Sequence, residues 1–355
     1  MIFKKQKLNK RQEIILTYIL QGVKFCVSDI VDYFKKSNFQ KVSRITIVRD
    51  LGFLVKEGFL IRQGSGRATR YLIAPQYNLI KEIDVEKYFS VSQDKRKIKK
   101  YFNFSIFDIL KNSVFALEEK ELLQHLHQEF QRNLKNIKSK AIVAKELERI
   151  VVEFSWKSSQ IEGNTYSLLD TESLIKEHKA AKGKTKEETQ MILNHKKAFD
   201  FVLNNKNKFK KLSRAKIEQV HRLLTANLEI TKNLRKNPVG ITGTNYKPID
   251  NIFQIEEAIE KMVKLINNKR NFFEKAFLTL ILLSYIQPFE DGNKRTSRLV
   301  SIAVLLSYES GIISYRSVEE KEYKKASLLF YEVNNLWYFK QIFIQQFEFA
   351  VKNYF

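Results

Sequence analysis

The chain has 355 residues, 63 of them Lys or Arg and 39 Asp or Glu, so its net charge is +24 and a polyanionic partner is favoured. Its length suits two or three domains that each bury a core, and only 4 Pro and 11 Gly indicate a mainly α-helical protein. One cysteine excludes a disulfide framework and a cysteine-based metal cluster, and the basic N-terminus is unlike a signal peptide. We therefore expect a cytoplasmic protein that does not enter a membrane.

The first 75 residues carry a disproportionate share of the positive charge, with 15 Lys and Arg against 5 Asp and Glu. Ser43 is a typical helix N-cap, and Gly58 is placed to end the helix that Ser43 begins. The predicted elements of this region are helices over Lys10–Leu20, Val27–Phe34 and Val42–Glu57 and strands over Phe59–Arg62 and Arg67–Ile73.

In this order of elements, residues 1–75 resemble the winged helix-turn-helix module of bacterial transcription regulators. In such modules the third helix contacts base edges and the wing contacts the DNA backbone or minor groove. The resemblance implies DNA contacts at Ser43, Arg44, Thr46, Ile47 and Arg49 on the helix and at Arg67 and Arg70 on the wing. The alternative is a winged-helix module that serves protein contact or dimerisation.

Residues 76–140 are predicted to form a helical connector that is polar, rich in Lys and poor in Pro and Gly. Within it, residues 94–100 are a run of charges, which indicates a solvated helix face or a linker.

Residues 142–162 place apolar side chains at the three-to-four spacing of an amphipathic helix. Ser158 and Glu162 are four residues apart, so they share one face, and that face borders the apolar stripe. Gly163 and Asn164 are typical of a helix end. A half-buried carboxylate at Glu162 requires a cationic partner.

Residues 237–251 interrupt the helical pattern with Gly, Pro and Asn. The short alternating residues within this segment predict a small hairpin whose edge is open to an incoming extended peptide. A plain surface loop is the alternative.

Residues 287–298 read Gln-Pro-Phe-Glu-Asp-Gly-Asn-Lys-Arg-Thr-Ser-Arg and lie between two apolar stretches. The apolar stretches predict two buried helices, the second beginning near Gly292. Three cations in its first turns, Lys294, Arg295 and Arg298, oppose the dipole of that helix. An anion such as a polyphosphate at the helix N-terminus would remove this conflict. An ordinary helix–helix connection with solvated cations is the alternative.

The same segment resembles the signature of the Fic family of protein adenylyltransferases, His-x-Phe-x-Asp/Glu-Gly-Asn-Gly/Lys-Arg-x-x-Arg, at every fixed position except the first. The resemblance implies an all-helical Fic-type domain with a small β-hairpin flap over residues 141–355, which binds ATP and Mg²⁺. The implied roles are a core anchor at Phe289, a Mg²⁺ ligand at Asp291 that acts through the phosphates, an anion hole at Gly292 and Asn293, and nucleotide contacts at Lys294, Arg295 and Arg298.

Gln287 is the departure from that signature, because the family has there the histidine that takes the proton from the target hydroxyl. An amide has no such basicity, so transfer of AMP should be weak or absent. The chain's histidines lie away from the loop in helix-like polar contexts, where a surface or packing role is expected: His125, His127, His178, His195 and His221.

The family resemblance extends to two earlier segments. The run from Ser158 to Asn164 is similar to the inhibitory-helix motif Ser/Thr-x-x-x-Glu-Gly/Asn, which implies that Glu162 pairs with Arg298 and blocks the seat of the ATP γ-phosphate. The flap, which aligns the target segment in the family, would contain Thr242, Gly243, Thr244 and Tyr246.

Two functional hypotheses remain. In the first, the protein transfers AMP from ATP to a hydroxyl of an unknown protein target, is restrained by Glu162 and is weak or inactive because of Gln287. In the second, it is a non-catalytic DNA-binding transcriptional regulator that uses the Fic-like fold as a nucleotide sensor or docking module. DNA is the expected partner of the first 75 residues under either hypothesis, and a homodimer is left open.

Overall fold

The computed structural model of the protein describes residues 8–20, 22, 24–37 and 42–355. The chain divides into two compact units. One consists of the residues up to Glu82 together with Asn112–Ala116, and the other of Ile83–Lys111 together with Leu117–Phe355.

The first unit is a small helical bundle with a two-stranded sheet. Its elements are α1 (Lys10–Leu20), α2 (Val27–Lys36), α3 (Arg44–Lys56), β1 (Leu60–Gln63), β2 (Arg70–Ile73) and α4 (Pro75–Ile80). The strands pair antiparallel, with Leu60 opposite Ile73 and Gln63 opposite Arg70. The helices and strands therefore follow the predicted order, with ends that differ by a few residues.

Local sequence signals explain the limits of α3. The Ser43 hydroxyl accepts a hydrogen bond from the Thr46 amide at 3.2 Å, which satisfies one of the free amides at the helix start. Gly58 follows the helix at φ +81°, a conformation that other residues adopt at a cost.

Ile47 is fully buried, because it lies on the same helix face as the core residues Leu51 and Leu54. The predicted DNA contact at Ile47 is therefore wrong.

The second unit is almost entirely α-helical. Its helices are α5 (Val85–Ser90), α6 (Ile106–Ile109), α7 (Leu117–Asn136), α8 (Lys140–Gln160), α9 (Leu168–Glu177), α10 (Lys186–Asn204), α11 (Arg214–Leu224), α12 (Ile252–Asn268), α13 (Phe272–Ile286), α14 (Asn293–Ser307), α15 (Glu320–Val333) and α16 (Trp337–Asn353). The mainly helical fold class that the sequence predicted is confirmed.

The helix pair α13 and α14 is the core of this unit. Every residue of α13 from Ala276 to Ile286 is buried, which is why this helix is apolar on all sides and not amphipathic. In α14 the apolar residues begin at Leu299 and the first turns are polar, yet those turns are buried too. The Ser301 hydroxyl donates a hydrogen bond to the Ala276 carbonyl at 2.8 Å and joins the two helices. The loop between them is thus held by the most buried part of the unit.

Within the described ranges, no helix combines the length and the apolar composition that crossing a membrane requires.

Candidate active site

The loop between α13 and α14 is held in one conformation by its own side chains. Phe289 is fully buried. The Asn293 side chain bonds both main-chain polar groups of Phe289: it accepts from the Phe289 amide at 2.8 Å and donates to the Phe289 carbonyl at 2.7 Å. Gly292 precedes α14 at φ +76°, and a Cβ there would lie 3.1 Å from the Thr225 methyl group. The glycine is required by both its conformation and this close approach.

His221 contacts the loop through ring stacking and a hydrogen bond. Its ring stacks on Phe289 with 3.7 Å between centroids and 9° between planes, and its Nε2 donates to the Asp291 carbonyl at 3.0 Å. Burial lowers the pKa of His221 to about 4, so the ring is neutral near pH 7. No local sequence pattern indicates this role, since His221 and Asp291 are 70 residues apart.

Arg298 is fully buried and is held by the C-terminal turn of α8. Its Nε donates to the Ser158 hydroxyl at 2.9 Å, and its Nη2 donates to the Ser158 carbonyl and to a Glu162 carboxylate oxygen, both at 2.8 Å. Lys294 approaches the other oxygen of Glu162 at 3.8 Å. Burial acts to raise the pKa of Glu162, but the charges of Arg298 and Lys294 outweigh it and hold that pKa below its usual value. The predicted grouping of Ser158, Glu162 and Arg298 is present.

Two arginines at the start of α14 retain buried donors without an acceptor. Arg295 bonds the Asp291 carboxylate through Nη2 at 2.7 Å, but its Nε and Nη1 have no hydrogen-bond partner among the described residues. Nη1 of Arg298 also forms no hydrogen bond to the described residues, although the guanidinium carbon lies 5.3 Å from the centre of the Tyr323 ring. An unpaired buried donor costs about 1–3 kcal/mol of folding free energy, and more if the group is charged. An anion that accepts hydrogen bonds from these atoms would remove that cost. The observation fits a phosphate-bearing ligand at this helix N-terminus.

A cavity of about 550 Å³ lies beside this loop. Its lining comes from the end of α8 (Ile161–Gly163), from Val239–Gly243, from the loop (Gln287 and Glu290–Lys294) and from α15 (Lys324, Ser327, Leu328 and Tyr331). The volume falls in the range of roughly 300–1,000 Å³ that is usual for small-molecule sites. Glu162 and Lys294 thus lie at the wall of a space large enough for a small molecule.

Residues 211–305 match the model of the Fic/DOC family. The loop at residues 287–298 is within this match. A stretch of 164 residues is 29% identical to "Protein adenylyltransferase Fic" of Aedes aegypti, covering 44% of this chain and 32% of that protein. The chain thus matches about a third of the length of this relative.

Solved Fic structures share the fold. Fic-1 from C. elegans has a TM-score of 0.56 at 19% identity, over 67% of this chain and 71% of that one. A Fic family protein from Desulfovibrio desulfuricans has a TM-score of 0.52 at 17% identity, over 65% and 73%. A Fic domain containing signaling protein from Bacteroides thetaiotaomicron has a TM-score of 0.51 at 17% identity, over 65% and 96%. About two thirds of this chain therefore has a Fic fold.

Gln287 is the first residue of the loop at residues 287–298, and its side chain turns back onto α13. It ends α13 at φ +52°, and its side-chain amide donates to the Ser284 carbonyl at 2.6 Å. Its main-chain carbonyl accepts from Nε of Arg235 at 2.6 Å. An amide used in this way offers no group that takes up a proton at neutral pH.

Arg235 is a site residue that the sequence reasoning missed. Its side chain is buried and bonds main-chain carbonyls of Gln287, Asn237 and Ile249, while its amide donates to the Pro288 carbonyl at 3.0 Å. It therefore connects the start of the loop at residues 287–298 to both ends of the segment at residues 237–251. A lone arginine in a Lys-rich stretch carries no signal of such a role.

The flap segment differs from its prediction. All residues from 237 to 251 are described, and they form a turn at Thr242 and Gly243 with no strand, so the predicted hairpin is wrong. Thr242 lies on the exposed side of the turn and Gly243 lines the cavity with it, while Thr244 and Tyr246 are buried. Tyr246 donates to the Tyr285 carbonyl at 3.2 Å and is part of the core.

The outer edge of the flap is also not open, because the connector lies along it. Gln93 donates to the Asn245 side chain at 2.9 Å, and the Lys247 amide donates to the Lys100 carbonyl at 2.7 Å. Arg96 donates to the Gly243 carbonyl and forms a buried ion pair with Glu332 at 3.1 Å. The charge run at 94–100 was predicted as a solvated face or linker; Arg96 departs from that prediction.

Asp291 is the predicted Mg²⁺ ligand. Its side chain is 66% exposed and its carboxylate contacts Arg295. Within the described ranges, no group of three or more His, Cys, Asp or Glu side chains is arranged to hold a metal ion. One exposed carboxylate fits Mg²⁺, which proteins often bind through one or two carboxylates plus substrate phosphates.

In the first unit, Arg44 and Arg49 on α3 are exposed, as is Arg67 after β1. Thr46 is half-buried behind the Ser43 cap. Arg70 is half-buried and its Nη1 donates to the Arg67 and Thr69 carbonyls.

Proposed function

We propose that the second unit is a Fic-type domain that binds ATP with Mg²⁺, that Glu162 restrains this binding, and that Gln287 removes or cripples transfer of AMP to a protein hydroxyl. The observation that carries the proposal is the set of buried Arg295 and Arg298 donors without a hydrogen-bond acceptor, in the helix whose first residues, Asn293 and Lys294, line a cavity of about 550 Å³. The likeness to an adenylyltransferase of Aedes aegypti supports the choice of ATP and of AMP transfer.

The residues of the loop have distinct tasks in this proposal. The N-terminus of α14 and the Arg295 and Arg298 guanidinium groups bind the phosphates by charge-assisted hydrogen bonds. Asp291 would hold the Mg²⁺, which supplies charge neutralisation on the phosphates. His221 and Asn293 keep the loop in the shape that this binding requires. The proton of the target hydroxyl has no acceptor at Gln287, and this is the step that fails.

Glu162 supplies the restraint. Its carboxylate occupies the Arg298 guanidinium that a phosphate would otherwise use, so nucleotide and Glu162 compete for one cation. Removing Glu162 should therefore tighten nucleotide binding, whereas replacing Gln287 with histidine should affect transfer only.

Gln287 specifically favours a second candidate function. Since this position lacks a base while the phosphate-binding residues are retained, the domain could serve as a nucleotide sensor or docking module without catalysis. The two candidates differ in transfer and agree in binding.

Four proteins separate these candidates: the parent, Glu162→Gly, Gln287→His and the double variant. Each is incubated with α-labelled ATP and Mg²⁺ and scored for covalent label, and ATP binding is measured by calorimetry. Label in the double variant only, with tighter binding in both Glu162→Gly proteins, would support a silenced transferase. Equal label in Glu162→Gly, which retains Gln287, and in the double variant would contradict the role given to Gln287. Binding without label in any variant would support the sensor, and no binding in any variant would refute the proposal.

We further propose that the first unit binds DNA through Arg44, Arg49 and Arg67. Their exposure on α3 and beside the sheet, together with the positive charge of this region, supports the proposal. The parent should shift random duplex DNA less as salt rises, and a triple Ala variant should lose the shift. A shift that survives the triple substitution would refute this assignment.

A further inference from the structure

His195 is a fully buried histidine that contacts the Ser158 hydroxyl, to which Arg298 donates. It lies on α10, with its Nε2 3.0 Å from the Ser158 hydroxyl and its Nδ1 2.9 Å from the Met191 carbonyl. Its Nδ1 is also 3.2 Å from the Ser159 hydroxyl, and its ring meets Phe154 edge to face at 5.9 Å. No part of the proposed chemistry uses this residue.

The partners of His195 determine where its proton lies. The Met191 carbonyl can only accept, so Nδ1 carries the hydrogen and Nε2 has a free lone pair. The Ser158 hydroxyl then donates to Nε2, and its oxygen accepts from Nε of Arg298. The hydrogen bonds thus run in one direction, from Arg298 through Ser158 and His195 to Met191, with one hydrogen at each contact.

The charges around His195 keep it neutral. Burial, together with the nearby charges of Arg295 and Arg298, lowers the pKa of His195 to about 3, and the charge of Glu162 acts in the opposite direction. A protonated ring would donate to Ser158, and the buried Ser158 hydrogen would then lose its acceptor.

We propose that His195 is a positioning residue for the restraint by Glu162. By fixing the Ser158 hydroxyl, it orients the Arg298 guanidinium along the end of α8, where Glu162 holds it and a phosphate must compete for it. The inference rests on the proposed function, since it takes Arg298 as a nucleotide-binding residue.

The hydrogen-bond direction can be tested without any nucleotide. The chain has five histidines, so ¹⁵N-labelled histidine in the full-length protein gives a spectrum simple enough to assign. We expect His195 to carry its proton on Nδ1, to keep that state from pH 8 to pH 5.5, and to shift at Nε2 in Ser158→Ala. A proton on Nε2, or titration near the ordinary histidine pKa, would overturn the inference.

The positioning role is tested by ATP binding in the presence of Mg²⁺. Ser158→Ala removes the acceptor of Arg298 Nε but keeps the Ser158 main-chain carbonyl and Glu162 as acceptors of Nη2, so it should tighten binding on the order of tenfold, the equivalent of one hydrogen bond to a charged group. Ser155→Ala is the matched control, since this buried hydroxyl one turn earlier on α8 has no partner among the described residues. It should leave affinity unchanged.

His195→Gln and His195→Phe complete the design. Glutamine can still offer an acceptor to Ser158 and should bind ATP like the parent, whereas phenylalanine should tighten binding as Ser158→Ala does. If Ser158→Ala and Ser155→Ala have equal affinities, the positioning role is wrong even where the predicted tautomer is found. If no protein binds ATP, the proposed function fails, and the spectrum still decides the hydrogen-bond direction.

Discussion

Replacing Glu162 with glutamine should destabilise the second unit when no nucleotide is present. Glutamine preserves the size of the side chain and a carbonyl that can accept from Arg298, but it removes the charge. Arg298 is fully buried and Glu162 is its carboxylate partner, so the substitution leaves a buried cation without a counter-ion. Such a cation costs far more than a lost surface contact.

The magnitude follows from the burial of the two side chains. Breaking a buried ion pair by removing one partner costs roughly 3–5 kcal/mol. The Glu162 side chain is 20% exposed and Arg298 0%, and glutamine retains one hydrogen bond, so the low end applies. A loss of about 3 kcal/mol corresponds to a fall of about 1 M in the urea midpoint for a slope of about 3 kcal/mol per M.

Tryptophan fluorescence is the assay, because the chain has two tryptophans, Trp156 and Trp337, and both lie in the second unit. The signal therefore reports on that unit, which avoids mixing two unfolding transitions. Glu172→Gln is the matched control: its pair with Lys176 on α9 is exposed and should be worth below about 0.5 kcal/mol. Saturating ATP with Mg²⁺ should restore most of the loss in Glu162→Gln.

Equal midpoints for Glu162→Gln and Glu172→Gln would refute the claim that Glu162 neutralises a buried Arg298. If stability falls by the expected amount but ATP does not restore it, the ion pair still explains the loss. The claim that phosphate can replace Glu162 as the partner of Arg298 would then be rejected.

Three further predictions concern the support of the loop and flap. Gly292→Ala should cost about 1–3 kcal/mol from its positive φ and more from contact with Thr225, whereas Gly183→Ala, also at φ +76° but in open space, should cost less in the same urea assay. Between pH 7 and pH 5 the unfolding free energy should fall by about 4 kcal/mol, since the unfolded chain protonates His195 and His221 below pH 6.5 and the native state does so only near pH 3 and 4; a constant value over this range would contradict their neutral burial. Arg96→Ala should speed amide hydrogen exchange at Lys247, while Lys97→Ala, at an exposed side chain, should not; equal rates would show that Arg96 does not hold the flap.

Sequence reasoning succeeded where the determinants are local. The Ser43 cap, the positive φ at Gly58 and the helix start after Gly292 are encoded within a few residues of where they act. The contact of Glu162 with Arg298 spans 136 residues, and only the family resemblance predicted it.

The features that could not be predicted depend on partners that are distant in the sequence. Arg235, His195 and His221 act through partners that are tens of residues away, and single polar residues in helical stretches give no periodic signal of such contacts. The flap was predicted as a hairpin from alternation in a short segment, but its main-chain groups bond Arg235 and the connector instead of each other. Tertiary contacts outweighed a weak β preference.

The backbone conformation at Gln287 determines which other residues this position accommodates. Its φ of +52° lies in the left-handed region, where histidine is enriched several-fold over most residues that carry a Cβ. The Asn293, Arg235 and Phe289 contacts that shape the loop do not depend on the side chain at this position. Glutamine and histidine codons differ by a single nucleotide, so under the proposed function one mutational step separates a site that binds nucleotide without a base from a site that has one.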